Sequence, residues 1–276
     1  MSNKRHIMGI SGGKDSAALA IFMRDKVDNM EYVFCDTGKE LKETYEFIDK
    51  LEVYLNKHVV RLPKELPDYS DKYDFDHWVK TVFNGYLPSQ SNRWCTNNLK
   101  LQPFLKYVGD EPVVNYVGIR ADEDRLGLIS SKSNIETVFP FRDHNIDKQG
   151  VLNILNESGV GIPKYYNWRS RSGCYFCFYQ SKKEWVGLLE NHPDLFEESM
   201  KYEQMKKDAN QNFTWRQDMS LQEIKDNADD IKKEYAERDK KKKLNTKLRS
   251  NSPLAKILDD EYQDEDDDKP CIICHL

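Results

Sequence analysis

A short apolar run, Ile7-Met8-Gly9-Ile10, leads directly into Ser11-Gly12-Gly13-Lys14-Asp15-Ser16 and then into Ala17-Ala18-Leu19-Ala20-Ile21-Phe22-Met23. Strand, Gly-Gly turn and helix in that order constrain the fold more than any other stretch. The glycines let the backbone turn its N–H groups inward with no Cβ in the way. The helix N-terminus adds partial positive charge, and Ser11 and Ser16 supply hydroxyl donors, so the junction predicts a phosphate cradle. It is not a Walker A loop, because Lys14 follows a Gly-Gly pair and Asp15 intervenes before Ser16. An ordinary Gly-rich strand–helix turn is the competing reading.

The pattern then repeats. After a helix over 16–27, Glu31-Tyr32-Val33-Phe34 reads as a second buried strand, ending in Cys35-Asp36-Thr37-Gly38. Residues 41–56 have helical spacing, and His58 to Leu62 reads as a third strand. Strand–helix–strand repetition predicts parallel pairing, with ligands at the carboxyl edge of the sheet. Residues 63–92 are irregular and aromatic, Val113 to Arg120 is the next strand, and 147–158 and 182–206 read as helices. Residues 213–220 read as a loop and 221–247 as a polar helix; the remainder, apart from the last six residues, is expected to be mobile.

With 276 residues, 38% apolar and 32% charged, the chain can bury one large core under a hydrated surface. A net charge of −5 argues against a globally basic nucleic-acid binder, although Lys240 to Lys243 form a basic block and Asp259 to Asp268 an acidic one. Such runs are usually solvated; the basic block could also contact phosphates. No apolar stretch approaches a membrane span and the N-terminus lacks a signal-peptide core, so a cytoplasmic protein without membrane partners is expected. There, six cysteines read as ligands or catalysts rather than disulfides.

Ser-Gly-Gly-x-Asp-Ser resembles the PP-loop of the ATP-pyrophosphatase superfamily. The resemblance implies an adenine nucleotide alpha-hydrolase-like α/β fold: a doubly wound, mostly parallel sheet, here with a helical C-terminal extension. Asp36-Thr37-Gly38…Glu43-Thr44 resembles the phosphoadenylyl-sulfate (PAPS) reductase branch, as do Val117-Gly118-Ile119-Arg120 with Arg125 and the Phe139-Pro140-Phe141 turn. It implies ATP and Mg²⁺ as cofactors, with Lys14, Asp15, Ser16 and Arg120 catalytic. Ser11, Gly12, Gly13, Ser16, Asp36, Thr37, Gly38, Gly118, Arg120 and Arg125 would bind the nucleotide. Two blander readings compete: Asp36 and Thr37 as a helix cap, and Arg120 as a salt-bridge cluster with its acidic neighbours. Residues 1–206 form the expected catalytic domain, and 207–276 a polar helical extension with a charged tail ending in Cys-x-x-Cys-His.

Arg93 to Phe104 is similar to the segment carrying a cysteine pair in the iron–sulfur reductases of this branch, but Thr96 stands in the second position. With the Cys-x-x-Cys at Cys174 and Cys177, Cys95 suggests a [4Fe–4S] cluster, or zinc, with Cys271 or Cys274 a candidate fourth ligand. A redox dithiol is the competing reading. The tail also resembles the Cys-Gly-x-His terminus of the reductases, without its glycine. Cys35 reads as a core residue.

Residues 165–185 look like the reductase relatives of DNA-phosphorothioation systems. Their Tyr, Trp and Phe residues alternate with Arg169, Arg171, Lys182 and Lys183, which suits either nucleic-acid stacking or a shield around a cluster. The expected activity is an ATP pyrophosphatase that adenylylates a nucleic-acid acceptor for sulfur insertion, served by a cysteine desulfurase and modification-complex subunits. The alternatives are a PAPS or adenylyl-sulfate (APS) reductase releasing sulfite, a tRNA thiolase, and a non-catalytic nucleotide-binding subunit.

Overall fold

The computed structural model describes residues 4–70, 74–124, 132–205 and 213–248. Five strands form one parallel sheet in the order β3-β2-β1-β4-β5. In chain order the first unit runs β1 (Arg5–Gly9), α1 (Lys14–Met23), β2 (Met30–Cys35), α2 (Lys42–Leu55) and β3 (Val59–Leu62). Next come α3 (Phe75–His77) with the π-helical turn Trp78–Val82, then α4 (Trp94–Thr96), the π-helical turn Asn97–Leu101 and α5 (Gln102–Val108). β4 (Val113–Tyr116), β5 (Ile135–Val138), α6 (Pro140–Asp143) and α7 (Lys148–Glu157) complete it.

The predicted doubly wound architecture is present. Side chains alternate across each strand, so Met8, Tyr32 and Phe34 meet Leu19, Ile48, Leu51, Val151 and Leu155 on one face. Ile7, Val33, Cys35, Val113 and Ile135 meet Phe104 and Val108 on the other. Ala17, Ala18, Leu19 and Ala20 are all fully buried, as suits a helix apolar on every side. α2 stops at Asn56, a left-handed residue whose N–H returns to the carbonyls of Glu52 and Val53. The strand expected over 113–120 ends at Tyr116, because the chain turns at once: Ile119 N–H donates to the Val117 carbonyl at 3.0 Å. β5 was not foreseen.

The chain divides by compactness between Tyr175 and Phe176, while the expected boundary at 206/207 lies outside the described residues. The second unit holds α8 (Lys182–Asn191), α9 (Pro193–Glu203), α10 (Leu221–Asp226) and α11 (Ala228–Leu248). The helix predicted over 182–206 breaks before Pro193, which cannot donate to the ladder. The polar helix over 221–247 breaks at Asn227. Ser181 with Glu184, and Ser220 with Glu223, form reciprocal capping boxes at the starts of α8 and α10. Phe176 stacks on Trp215 with ring centroids 4.7 Å apart in the core of this unit. No helix among the described residues is long and apolar enough to cross a membrane.

Candidate functional site

After β1 the chain crosses to β2 and β3 on one side, and later to β4 and β5 on the other. The carboxyl ends of β1 and β4 therefore flank the point where strand order reverses, the usual ligand crevice of such sheets. Three predicted segments leave the strands at this edge: Ser11–Gly13 after β1, Asp36–Gly38 after β2 and Val117–Arg120 after β4.

Gly12 has φ +72°, and a Cβ there would stand 2.4 Å from Thr44 Cγ2. A Cβ on Gly118 would lie 3.1 Å from the Asp15 carbonyl. Gly12 suits glycine by its positive φ and the Thr44 methyl packed against it, and Gly118 by its close approach to the Asp15 backbone. The two loop serines organise the turn itself. Ser16 Oγ accepts from Ser11 N–H at 3.1 Å and donates to the Gly13 carbonyl at 3.2 Å, while Ser11 Oγ accepts from Gly13 N–H at 3.4 Å. Lys14 Nζ lies 3.3 Å from Asp15 Oδ2 and 4.9 Å from the centre of the Tyr166 ring.

Arg120 is the hub of an ion-pair cluster, with Asp15, Asp122 and Glu123 each at 2.9 Å. Burial opposes its charge, but hydrogen bonds to Asp122 and Asp15 hold the guanidinium above its ordinary pKa. The salt-bridge reading of this arginine is thus realised, within the site. Asp36 is likewise committed to structure: Oδ1 accepts from Gly38 N–H at 2.8 Å and Tyr45 Oη at 2.7 Å, and Oδ2 from Lys64 Nζ at 2.7 Å. Neither Asp36 nor Thr37 caps α2, whose N-cap is Leu41. Arg125, Cys271 and Cys274 lie outside the described residues.

Thr37 Oγ1 sits 3.1 Å from Cys174 Sγ, which also donates to Glu40 Oε1 at 3.6 Å. Glu40 is buried with no hydrogen bond to Oε2, and burial raises its pKa against the pull of Lys100 and Arg169. Cys35 is a core residue, its thiol pushed up to about 12 by burial. Among the described residues no group of three His, Cys, Asp or Glu side chains is placed to hold a metal ion. The Cys174 thiol is turned to Thr37 and Glu40, and Thr96 replaces the second cysteine of the resemblance.

The aromatic stretch behaves as interior. Tyr165, Tyr175, Phe176, Phe178 and Tyr179 are buried. Arg169 is buried too, donating to the carbonyls of Gly173 at 2.9 Å and Cys174 at 2.7 Å. Tyr166 and Trp168 of the same stretch are half-buried. Sequence reasoning missed that Tyr165, Tyr166 and Ser172 lie on the loop: Tyr165 Oη donates to the Gly12 carbonyl at 2.8 Å, and Lys14 N–H donates to Tyr166 Oη at 3.1 Å. Nothing local signals a contact between residues so distant in sequence.

Three curated relatives bear on this geometry. An uncharacterized protein of Methanocaldococcus jannaschii is 28% identical over 200 residues, covering 67% of this chain and 44% of the relative. A phosphoadenosine 5'-phosphosulfate reductase of Buchnera aphidicola is 27% identical over 202 residues, 69% of this chain and 76% of the relative. A tRNA-specific 2-thiouridylase of Pseudoalteromonas atlantica is 25% identical over 195 residues, 58% and 46% respectively. The chain thus spans less than half the length of the Methanocaldococcus relative. The phosphoadenosine phosphosulfate reductase domain profile matches residues 5–177, from β1 through the Cys-x-x-Cys pair. With more than half of its length matched, the chain belongs to the phosphoadenosine phosphosulfate reductase domain family.

Proposed function

We propose that the chain is a PP-loop ATP pyrophosphatase that adenylylates a nucleic-acid acceptor for sulfur insertion. The observation that carries the nucleotide assignment is the loop Ser11–Ser16, set at the strand-order reversal with Gly12 packed on the Thr44 side chain and Gly118 close to the Asp15 backbone. In the first step the acceptor oxygen bonds to the α-phosphorus, the bond to the bridging oxygen breaks, and pyrophosphate leaves. A persulfide sulfur then attacks the activated centre, AMP leaves carrying the acceptor oxygen, and a thiol reductant cleaves the resulting disulfide to release the product. Lys14 and the N-terminus of α1 would stabilise the charge that develops on the leaving group. Mg²⁺ bound with the nucleotide would neutralise further phosphate charge. Asp15 and Asp36 are held by their own partners, so their part is to position Lys14, Arg120 and the Gly38 turn.

The likeness to a tRNA-specific 2-thiouridylase supports a nucleic-acid acceptor. The DNA backbone is the acceptor to test first, with a cysteine desulfurase as sulfur donor. A second reading, reduction of PAPS or APS to sulfite, is supported by the likeness to the Buchnera reductase over 76% of that protein. Parallel incubation with ATP plus DNA or tRNA, and with APS and PAPS plus a thiol reductant, separates them. Pyrophosphate from ATP, abolished by Ser16→Ala, supports the first reading; sulfite from PAPS or APS supports the second. Binding without turnover of any of the three marks a nucleotide-binding subunit, and no binding at all removes the nucleotide assignment.

A further inference from the structure

The segment from Tyr165 to Cys174 touches the loop at one end and carries a half-buried thiol at the other. At the loop end, Tyr165 Oη donates to the Gly12 carbonyl, and Ser172 Oγ donates to Ser11 Oγ at 3.4 Å. Tyr166 Oη accepts from Lys14 N–H, the first N–H of α1. Ser172 Oγ and Tyr166 Oη stand 2.7 and 3.2 Å from where a Cβ on Gly13 would lie, so both hydroxyls rest on the turn. At the other end, Arg169 grips the carbonyls of Gly173 and Cys174, and Tyr175 N–H donates to the Lys39 carbonyl at 2.8 Å. Cys174 Sγ rests between Thr37 and Glu40.

The Lys14 N–H belongs to the helix end where a phosphate oxygen would accept. Tyr166 offers it a neutral oxygen, since burial pushes the phenol up to about 12. A charged phosphate oxygen makes a hydrogen bond roughly twice as strong, and one N–H does not serve both acceptors well. Phosphate therefore displaces the hydroxyl. Because Arg169 binds Gly173 and Cys174 into one piece, movement at Tyr166 and Ser172 reaches the thiol.

Resting on the nucleotide reading above, we propose that residues 165–174 form a strap which nucleotide phosphate lifts from the loop, releasing Cys174 from Thr37 and Glu40. The strap thus couples occupancy of the loop to the reactivity of a cysteine on the same edge of the sheet.

The test is the rate of Cys174 alkylation by iodoacetamide, read by peptide mass spectrometry, with and without inorganic pyrophosphate or ATP, alongside calorimetric binding. In the wild type, ligand raises the rate about fivefold, the size of one neutral hydrogen bond. In Tyr166→Phe the rate is already raised without ligand, and the response to ligand shrinks. Labelling of the buried Cys35 reports unfolding; if Tyr166→Phe shows it, Ser172→Ala replaces that variant. Ligand that binds the wild type yet leaves the Cys174 rate unchanged or lowered overturns the strap and leaves the nucleotide reading standing. Failure of both pyrophosphate and ATP to bind overturns the reading and the strap together.

Discussion

Arg120 Nη1 lies 2.9 Å from Asp15 Oδ1, tying the turn after β4 to the first turn of α1. The two partners are unequally supported. Asp15 has Lys14 and Arg120, whereas Arg120 gathers Asp15, Asp122 and Glu123. Removing Arg120 would leave three carboxylates around a partly buried space. Arg120→Gln should therefore cost about 3–5 kcal/mol, the usual loss when a buried pair is broken. Asp15→Asn leaves Arg120 two carboxylates and should cost less, on the order of 2 kcal/mol. Urea melts of both variants check the order; equal losses would contradict the hub.

Gly12 and Gly38 both have positive φ, +72° and +69°, but differ in their surroundings. A Cβ on Gly12 would meet Thr44 Cγ2 at 2.4 Å, while one on Gly38 would meet nothing within 4 Å. Gly38→Ala should cost only the left-handed backbone penalty, about 1–2 kcal/mol. Gly12→Ala should cost that and a clash, and should weaken pyrophosphate binding. Adding Thr44→Ser removes the clashing methyl, so the double variant should recover stability towards the level of Gly38→Ala. Thermal melts and pyrophosphate titrations of the three variants read this directly.

The parts of the fold that were legible in sequence rest on local chemistry. The Gly-Gly turn, the all-apolar α1 and the three strands β1 to β3 follow from glycine freedom and hydrophobic period. Pro193 marked a helix boundary that periodicity alone overran. β5 escaped because Ile135-Glu136-Thr137-Val138 is too short to show alternation beyond two turns of the pattern. The roles of Asp36 and Cys174 depended on partners far along the chain, Lys64 for the first and Thr37 and Glu40 for the second. Residue type placed those side chains at the site; only tertiary contact shows that Asp36 builds its own turn and that the Cys174 thiol faces Glu40.

Glu52 joins α2 to β3 through Val59 N–H at 2.6 Å, Arg61 Nη2 at 2.7 Å and His58 Nδ1 at 2.7 Å. Partial burial disfavours the carboxylate, yet the bonds from Arg61, Val59 and His58 hold its pKa at about 2, against an ordinary 4.5. A depressed folded pKa means stability that is present above 4.5 and lost as pH falls towards about 2. Glu52→Gln should lower the melting temperature at pH 7. The gap between variant and wild type should close as pH falls through that window. A gap that stays constant from pH 6 to pH 2.5 would show that the carboxylate charge is not what stabilises this corner.

In the second unit, Glu203 accepts from two main-chain donors, Trp215 N–H through Oε1 and Leu221 N–H through Oε2, each at 2.9 Å. It thereby ties the end of α9 to Trp215 and to the start of α10, while the Trp215 indole donates to the Ser199 carbonyl at 2.9 Å. Burial raises the Glu203 pKa, and the two N–H groups work against that rise. Gln at this position keeps one carbonyl acceptor but turns an amide donor towards the other N–H. One buried donor then goes unmet, which costs about 1–3 kcal/mol. Hydrogen exchange at the Trp215 and Leu221 amides should quicken by about 10- to 100-fold in Glu203→Gln, the same free energy expressed as a rate. Unchanged protection at both amides would mean that this junction is held by the Trp215 and Phe176 packing rather than by the carboxylate.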